Sequence, residues 1–191
     1  MIDQALKLVV DVAFGLIVFS LIGRFLMQLL RAPFRNPIGQ AVMALTDWIV
    51  KPLRKLFPGF GGVDWASAIA AFLFQLLWLI AILAISGGFT PSGAGVAYLI
   101  GVTFIELVKH ALWLLVIVVI VQAVLSWVAP DGPLAGLLNA LTFPFLRPLR
   151  RVIPPIGGAL DLTPLILIVI LQLILIVPVR WLELALRELV V

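Results

Sequence analysis

The chain has 191 residues, of which 64% are hydrophobic and 12% are charged, and it contains no cysteine. A soluble domain averages about 25% charged residues, so this composition excludes an ordinary soluble core and places the chain in a membrane. The lack of cysteine excludes disulfides, thiolate metal sites and iron–sulfur clusters. The formal net charge is +4, but most Lys and Arg lie beside apolar stretches, which favours a membrane surface over nucleic acid as the partner.

The first apolar stretch, residues 8–30, contains Asp11 near its start and Arg24 near its end. It is long enough to cross about 30 Å of hydrocarbon. The residues before it are partly acidic and lead to no small-residue cleavage pattern. We therefore predict a retained transmembrane helix rather than a cleaved signal peptide.

A linker follows over residues 31–64. Asn36 followed by Pro37 predicts a helix that begins here, with Asn36 as its N-cap. The apolar residues that recur at helical spacing are Ile38, Val42, Leu45 and Ile49. This pattern predicts an amphipathic helix that is too short to span and lies flat in the headgroup layer. The alternative is that it packs on the protein's own spans.

The linker contains a basic box, Lys51-Pro52-Leu53-Arg54-Lys55-Leu56-Phe57-Pro58, which recurs as residues 147–154. A residue before proline is disfavoured in the helical region, so we expect the boxes to be stiff, non-helical segments. One interpretation is docking to anionic lipid or to a partner protein, where each cation gains about 1 kcal/mol near an anionic surface. The other is a topology signal alone. The box cations are Lys51, Arg54, Lys55, Arg147, Arg150 and Arg151, and the box prolines are Pro52, Pro58, Pro148 and Pro154.

The repeat extends beyond the box, which indicates a tandem duplication. The matched pairs include Pro37 with Pro133, Thr46 with Thr142, Asp64 with Asp161, and Gln75 with Gln172. We therefore predict an all-α integral membrane protein of two repeats, residues 1–90 and 91–191. Each repeat consists of a transmembrane helix, an amphipathic helix with its basic box, and a second transmembrane helix, giving four spans.

The second and fourth spans are predicted over residues 65–86 and 162–179, each led by an aspartate. Asp64 and Asp161 are predicted to be N-caps, which accept hydrogen bonds from free backbone N–H groups. Their equivalent positions in the two repeats argue against a catalytic pair.

The third apolar stretch, residues 96–128, is longer than one straight crossing needs. Glu106, Lys109 and His110 share one face within it, so we place the crossing at residues 111–128 and expect residues 94–105 to lie near the surface. The alternative is a single tilted helix. A metal site at Glu106 and His110, or haem ligation by His110, is a weaker interpretation than an interfacial polar patch.

The stretch before the third span, residues 87–95, is a neutral turn between the repeats. After the span, Asp131-Gly132-Pro133 is expected to begin the second amphipathic segment, and Pro144 and Pro148 are expected to end it. Its predicted apolar face consists of Leu134, Leu137, Leu138 and Leu141.

Two glutamines, Gln75 and Gln172, lie near the bilayer midplane in the second and fourth spans. They are expected either to form interhelical hydrogen bonds or to line a polar path between the halves together with Gln122 and Ser126. The linkers carry most of the Lys and Arg, so the positive-inside rule places both linkers in the cytoplasm and both termini outside.

The chain resembles the YggT/YlmG family of small membrane proteins over nearly its whole length. The resemblance rests on Asn36-Pro37, on the doubled box, on the Gly-Gly-x(1,2)-Asp that follows each box, and on Arg24-Phe25-Leu26-Met27-Gln28. It implies an integral membrane protein of bacteria or plastids without established catalytic activity. Bacterial members are associated with osmotic tolerance, ion uptake or cell division, and plastid relatives with cytochrome haem attachment and nucleoid distribution.

Residues and resemblance together predict a non-catalytic, multi-pass protein of the bacterial cytoplasmic membrane that acts as a scaffold or assembly factor. Its expected partners are membrane lipids, mainly anionic; a membrane-protein partner and a homo-oligomer both remain open, and nucleic acid is not expected. No catalytic, cofactor or metal site is predicted. The alternative function is transport of an ion or osmolyte, or its regulation.

Overall fold

The computed structural model describes residues 2–86, 93–153 and 161–188, and within them the chain is helical with no β-strand. A π-helical turn, Leu175–Val179, joins the last two helices. The helices are α1 (Ile2–Leu29), α2 (Pro37–Leu56), α3 (Trp65–Ile85), α4 (Gly93–Val128), α5 (Ala135–Val152), α6 (Thr163–Ile174) and α7 (Arg180–Glu188).

Four segments of these helices are long and apolar enough to cross a membrane. They are Asp3–Leu29, Trp65–Ile85, Gly95–Val128 and Thr163–Glu188. The predicted all-α fold with four spans is therefore confirmed. Residues 93–128 form one continuous helix, as in the single-helix alternative, so residues 94–105 are not a separate surface element. The boundary between the predicted repeats lies outside the described residues.

The two spans of the first repeat run antiparallel. Arg24, near the end of α1, lies beside Asp64 at the start of α3. Further along α3, Trp78 Nε1 donates a hydrogen bond of 2.8 Å to Asp11 Oδ1, near the start of α1. Ala66 and Ala70 of α3 are fully buried, and such small residues let two transmembrane helices approach closely.

Apolar packing joins the two repeats. The core formed by α1, α2 and α3 includes Leu21 and Val50, and Leu114 of α4 packs against it. A second core in the other repeat is built around Val119 and Leu146. A cavity of ≈ 280 Å³ between α1, α2, α4 and α5 has an almost wholly apolar lining. We conclude that the contact between the repeats is apolar and encloses a cavity.

The two linker helices begin differently. Asn36 is the N-cap of α2, and its Oδ1 accepts a hydrogen bond of 2.9 Å from the Gly39 N–H. In the second repeat Gly132 stands in the place of Asn36 and has no side chain that could cap. Helix α5 begins at Ala135, two residues after the Asp131-Gly132-Pro133 stretch that was predicted to begin the segment.

The basic boxes are helical, which corrects the expectation of non-helical segments. Helix α2 continues through Pro52, and α5 continues through Pro144 and Pro148. An interior proline costs about 3 kcal/mol in a helix, so other contacts must offset this cost. Those contacts are the buried inner faces of α2 and α5 and the ion pairs described below. Pro58 follows the end of α2, where it cannot interrupt the helix, and Pro154 lies outside the described residues.

The apolar side chains of the two linker helices differ in burial. On α5, Leu137, Leu138 and Leu141 are buried in the protein. This is the arrangement given as the alternative for the first linker helix, in which the helix packs on the spans of the protein. On α2, Ile49 is buried, whereas Ile38 is 41% exposed.

The fourth span is longer than predicted and changes its helical pitch. After α6 the chain makes a π-helical turn that contains Pro178 and then continues as α7. Proline lacks the N–H that the regular ladder requires, and a π-helical turn is a common adjustment within a helix.

Candidate functional site at the basic boxes

A tight turn returns the chain from the first box to the third helix. Gly61 and Gly62 have φ values of 65° and 80°, and the Val63 N–H donates to the Phe60 carbonyl over 3.2 Å. Two successive positive φ values are easily adopted only by glycine, which explains the Gly-Gly pair. The turn places Asp64 beside the box that precedes it.

Asp64 is the anchor of the first box rather than a cap of α3. Its Oδ2 accepts hydrogen bonds from Arg54 Nη2 at 2.5 Å and Ser67 Oγ at 2.7 Å. It stands at the N-cap position, but its side chain makes no capping hydrogen bond. The predicted capping role is therefore wrong, because the neighbouring cation and hydroxyl occupy the carboxylate. Oδ1 is buried and has no partner within the described residues.

A buried arginine from α1 extends this contact into a network. Arg24 Nη1 donates to Thr46 Oγ1 at 2.8 Å and to Asp47 Oδ1 at 2.7 Å, and Arg24 Nε lies 3.9 Å from Asp64 Oδ2. Asp47 Oδ2 in turn pairs with Lys51 Nζ at 2.7 Å. Cations and anions thus alternate through α2, α1 and α3 and hold the three helices together.

The second repeat keeps the box ion pair and loses the rest of the network. Arg150 Nη2 lies 2.8 Å from Asp161 Oδ2, and the Arg150 Nε–H donates to the same oxygen. Asp161 Oδ1 accepts from the backbone N–H of Thr163, the first residue of α6, at 2.9 Å. Asp161 therefore accepts a hydrogen bond from the first residue of α6 and also anchors the box, but Leu162 and not the predicted Asp161 stands at the N-cap position. The Arg147 guanidinium lies over the Phe143 ring, 5.7 Å from its centroid.

These ion pairs keep two linker carboxylates ionised. The hydrogen bonds from Lys51 and Arg24 hold the pKa of the Asp47 carboxyl below its ordinary value. Burial opposes ionisation of Asp161, but the hydrogen bonds from Thr163 and Arg150 outweigh it and hold the pKa of Asp161 below its ordinary value. A general acid or base works best with a pKa near the operating pH, so these groups act as fixed anions.

The six box cations differ in what they contact. Arg54 and Arg150 bind the aspartates, Lys51 pairs with Asp47, and Arg147 stacks on Phe143. Lys55 and Arg151 are exposed and have no hydrogen-bond or ion-pair partner within the described residues. The structure therefore separates anchoring cations from outward-facing ones.

The predicted glutamines do not form the expected contacts. Gln75 is buried and Gln172 half-buried, and neither side chain has a hydrogen-bond partner within the described residues. Gln122 instead lies near the box end of α4, and it lines a cavity together with Arg150 and Asp161.

A second group of charges lies toward the other end of the spans. Lys109 Nζ of α4 lies 2.7 Å from Glu106 Oε1 and 2.9 Å from Glu183 Oε1, and Glu183 Oε2 lies 3.0 Å from Arg180 Nη1. His110 Nδ1 lies 2.6 Å from the Glu106 carbonyl oxygen. Within the described residues no group of three or more His, Cys, Asp or Glu is arranged to hold a metal ion.

The sequence analysis missed the Arg24 network. From sequence, Arg24 was an interruption of the first span and part of the family motif, and no partner was predicted for it. An arginine within a membrane span normally has a partner, so Arg24 was the available signal. The recurring box arginine and downstream aspartate, Arg54 with Asp64 and Arg150 with Asp161, were the signal for the box ion pairs.

The fold and the doubled ion pair define a class: multi-pass α-helical membrane proteins built by duplication of a span, a basic-box helix and a span. The CCB3/YggT family model matches residues 4–85 and again residues 101–182. The chain belongs to the CCB3/YggT family.

Relatives come from several bacteria. The uncharacterized protein PA0392 of Pseudomonas aeruginosa is 36% identical over 79% of this chain and 76% of its own length. A Vibrio alginolyticus protein described as an uncharacterized protein in the proC 3′ region is 33% identical over 88% of this chain and 90% of its own. The uncharacterized protein YggT of Escherichia coli K12 is 33% identical over 79% of this chain and 77% of its own. No solved structure matches the chain.

Proposed function

We propose that this protein is a non-catalytic scaffold or assembly factor of the bacterial cytoplasmic membrane. Its two basic-box helices form a platform at the cytoplasmic face that docks anionic lipid or a membrane-protein partner. The observation that carries this proposal is the repeated geometry at the boxes. In each repeat one box arginine is tied to the aspartate that precedes the next span, and the adjacent cation, Lys55 or Arg151, is exposed.

The ion pairs support the proposal because they fix where the outward cations stand. Arg54 and Arg150 attach each box helix to the span that follows it. Lys55 and Arg151 then project from a braced helix rather than from a free loop. A cation near an anionic surface gains about 1 kcal/mol, and a braced cation loses less conformational freedom when it binds.

Exposed apolar side chains accompany these cations. Trp48 of α2 is 63% exposed, and Leu56 and Val152 at the box ends are 72% and 79% exposed. Helices that lie in the headgroup layer place such residues at the boundary with the acyl chains. The excess of Lys and Arg in the linkers supports a cytoplasmic position for this face.

Removal of the two outward cations should weaken the preference for anionic lipid. We expect the Lys55→Gln, Arg151→Gln variant to lose about 2 kcal/mol of binding free energy for anionic lipid, at about 1 kcal/mol per cation. This loss corresponds to at least about a tenfold drop in the relative association constant. The measurement is the association constant of phosphatidylglycerol relative to phosphatidylcholine, read from quenching of tryptophan fluorescence by brominated lipids in reconstituted vesicles. The effect should also fall at 1 M salt, where the Debye length shrinks to about 3 Å.

The matched control removes the same charge from the other end of the spans, as Lys7→Gln with Arg187→Gln. This variant should keep the lipid preference of the unmodified protein. An unchanged preference in the Lys55 and Arg151 double variant would show that the boxes do not dock anionic lipid.

A second candidate function is the movement of an ion or osmolyte, or its regulation. The observation that favours it is the charge group of Glu106, Lys109, Arg180 and Glu183, which lines a cavity of ≈ 200 Å³ between α4 and α7. Ionisable groups inside membrane spans often mark ion pathways. The apolar contact between the repeats favours the scaffold. The same vesicles discriminate the two, since a scaffold predicts no ion flux above that of empty vesicles.

A further inference from the structure

The cavity between the two repeats reaches the lipid-facing surface of the protein. It has a volume of ≈ 280 Å³ and an almost wholly apolar lining contributed by α1, α2, α4 and α5. Three of its lining residues, Leu16, Ile117 and Ile38, are 55%, 48% and 41% exposed. An apolar cavity has no polar groups to hold water in place, so an apolar molecule is the better occupant.

The cavity is about as long as one leaflet of a bilayer is thick. Along α1 its lining runs from Leu16 to Met27 at three- and four-residue steps, which is about 16 Å of helix. Half of the hydrocarbon core of a bilayer is about 15 Å. Met27 lies near the end of α1 that leads into the first linker. The cavity therefore matches one acyl chain of the leaflet on the side of the basic boxes.

Two arginines without partners stand at this end of the cavity. Arg31 follows Met27 by four residues, and Arg35 precedes Ile38 by three. Both side chains are exposed, and neither has a hydrogen-bond or ion-pair partner within the described residues. The turn that carries them is held against the cavity wall, because Phe34 packs on the apolar core that contains Met27.

The backbone at Arg31 indicates a function for its side chain. Arg31 has a φ of 54°, and its N–H donates to the Gln28 carbonyl over 3.1 Å. The next N–H, that of Ala32, donates to the Met27 carbonyl over 2.7 Å. Glycine usually holds this position at the end of a helix, and another residue there is strained. The equivalent position of the second repeat holds Trp127, so the repeated fold does not require an arginine.

We propose that the cavity holds one acyl chain of an anionic phospholipid, whose phosphate binds Arg31 and Arg35. Arginine suits a phosphate because its planar guanidinium donates two parallel hydrogen bonds. Phosphatidylcholine binds less well, because it brings a quaternary ammonium to the same pair of cations. The bound chain lies between α1 and α2 of the first repeat and α4 and α5 of the second, so it joins the repeats. This site is separate from the box cations Lys55 and Arg151 and does not depend on their role.

The first test is lipid retention by the full chain, measured by native mass spectrometry after exchange into phosphatidylglycerol or phosphatidylcholine. We expect the unmodified protein to retain phosphatidylglycerol about tenfold more than phosphatidylcholine, as two surface cations would give. Arg31→Gly should lower phosphatidylglycerol retention about fivefold. Its free energy of unfolding should stay the same or rise, because glycine adopts a positive φ without strain. The matched control, Arg187→Gln, removes an exposed arginine from the other end of the spans and should keep the retention.

The second test fills the mouth of the cavity. Ile38→Trp should abolish phosphatidylglycerol retention, because the larger side chain occupies the place of the acyl chain. Leu45→Trp is the matched control, since Leu45 lies on the same helix, is 37% exposed and does not line the cavity. It should retain the lipid.

Equal retention of the two lipids by the unmodified protein would overturn the proposal. So would full retention in Arg31→Gly or in Ile38→Trp, or a loss of stability in Arg31→Gly, which would show that the arginine serves the turn itself. No retained lipid in the unmodified protein, as expected if a partner helix fills the cavity, would overturn it as well. The Lys55→Gln, Arg151→Gln variant leaves Arg31, Arg35 and the cavity intact and should retain the lipid. The two lipid proposals therefore fail independently.

Discussion

Asp64→Ala is expected to lower the free energy of unfolding by about 3 to 5 kcal/mol, the usual cost of breaking a buried ion pair by removing one partner. The Asp64 side chain is fully buried, and it pairs with Arg54 and lies 3.9 Å from Arg24, whose side chain is 7% exposed. Without the carboxylate, Arg54 loses its ion-pair partner, and the buried Arg24 keeps Asp47 as its remaining carboxylate beside the Thr46 hydroxyl. The measurement is unfolding in mixed micelles titrated with sodium dodecyl sulfate and followed by circular dichroism.

The second repeat offers a matched control in Asp161→Ala. The two arginines are similarly exposed, Arg54 at 43% and Arg150 at 38%, but the Asp161 side chain is 30% exposed whereas that of Asp64 is fully buried. Exposed ion pairs contribute about 0 to 1 kcal/mol, so this variant should cost far less than Asp64→Ala. Equal losses in the two variants would contradict the view that the first repeat holds the buried, stabilising network.

Gly39→Ala is expected to lower the free energy of unfolding by about 2 to 3 kcal/mol, through steric overlap and a displaced N-cap. A β-carbon at residue 39 would lie 2.5 Å from the Phe34 carbonyl oxygen and 2.8 Å from Phe34 Cα. Both are backbone atoms, so the turn that leads into α2 must move. That movement also disturbs the hydrogen bond from the Gly39 N–H to Asn36 Oδ1. The same micelle titration measures the loss.

Gly15→Ala is the control for the change of residue type. A β-carbon at residue 15 of α1 meets no other atom within 4 Å, and alanine is about 1 kcal/mol better than glycine in a helix interior. This variant should therefore not lose stability. A Gly39→Ala protein as stable as the unmodified one would show that the entry into α2 is not tightly packed.

The spans and the start of the first linker helix were predictable from sequence because their causes are local. Long apolar stretches such as residues 65–86 must bury themselves in a membrane whatever the rest of the chain does. Asn36 and Pro37 act within one helical turn, through a side-chain cap and a fixed φ. Neither signal depends on distant contacts.

The course of the boxes was not predictable in the same way. Pro52 and Pro148 weaken a helix locally, and this preference is correctly read from sequence. The outcome depends on contacts made after the chain folds back, in particular Arg54 with Asp64 and Arg150 with Asp161. These contacts offset the local cost, so a rule for isolated helices gave the wrong conformation.

The depth of the two box helices in the bilayer tests the proposed platform most directly. The chain has no native cysteine, so a single spin label at Trp48→Cys on α2 or at Val152→Cys on α5 reports without background. Its depth is measured by power saturation with oxygen and a nickel chelate in reconstituted vesicles, with Leu73→Cys on α3 as a reference within the span. We predict that both labels lie near the boundary between the headgroups and the acyl chains, at most about 5 to 10 Å into the acyl region. Labels at residues 48 and 152 that are as accessible to nickel as a label in bulk water would contradict a platform at the membrane surface.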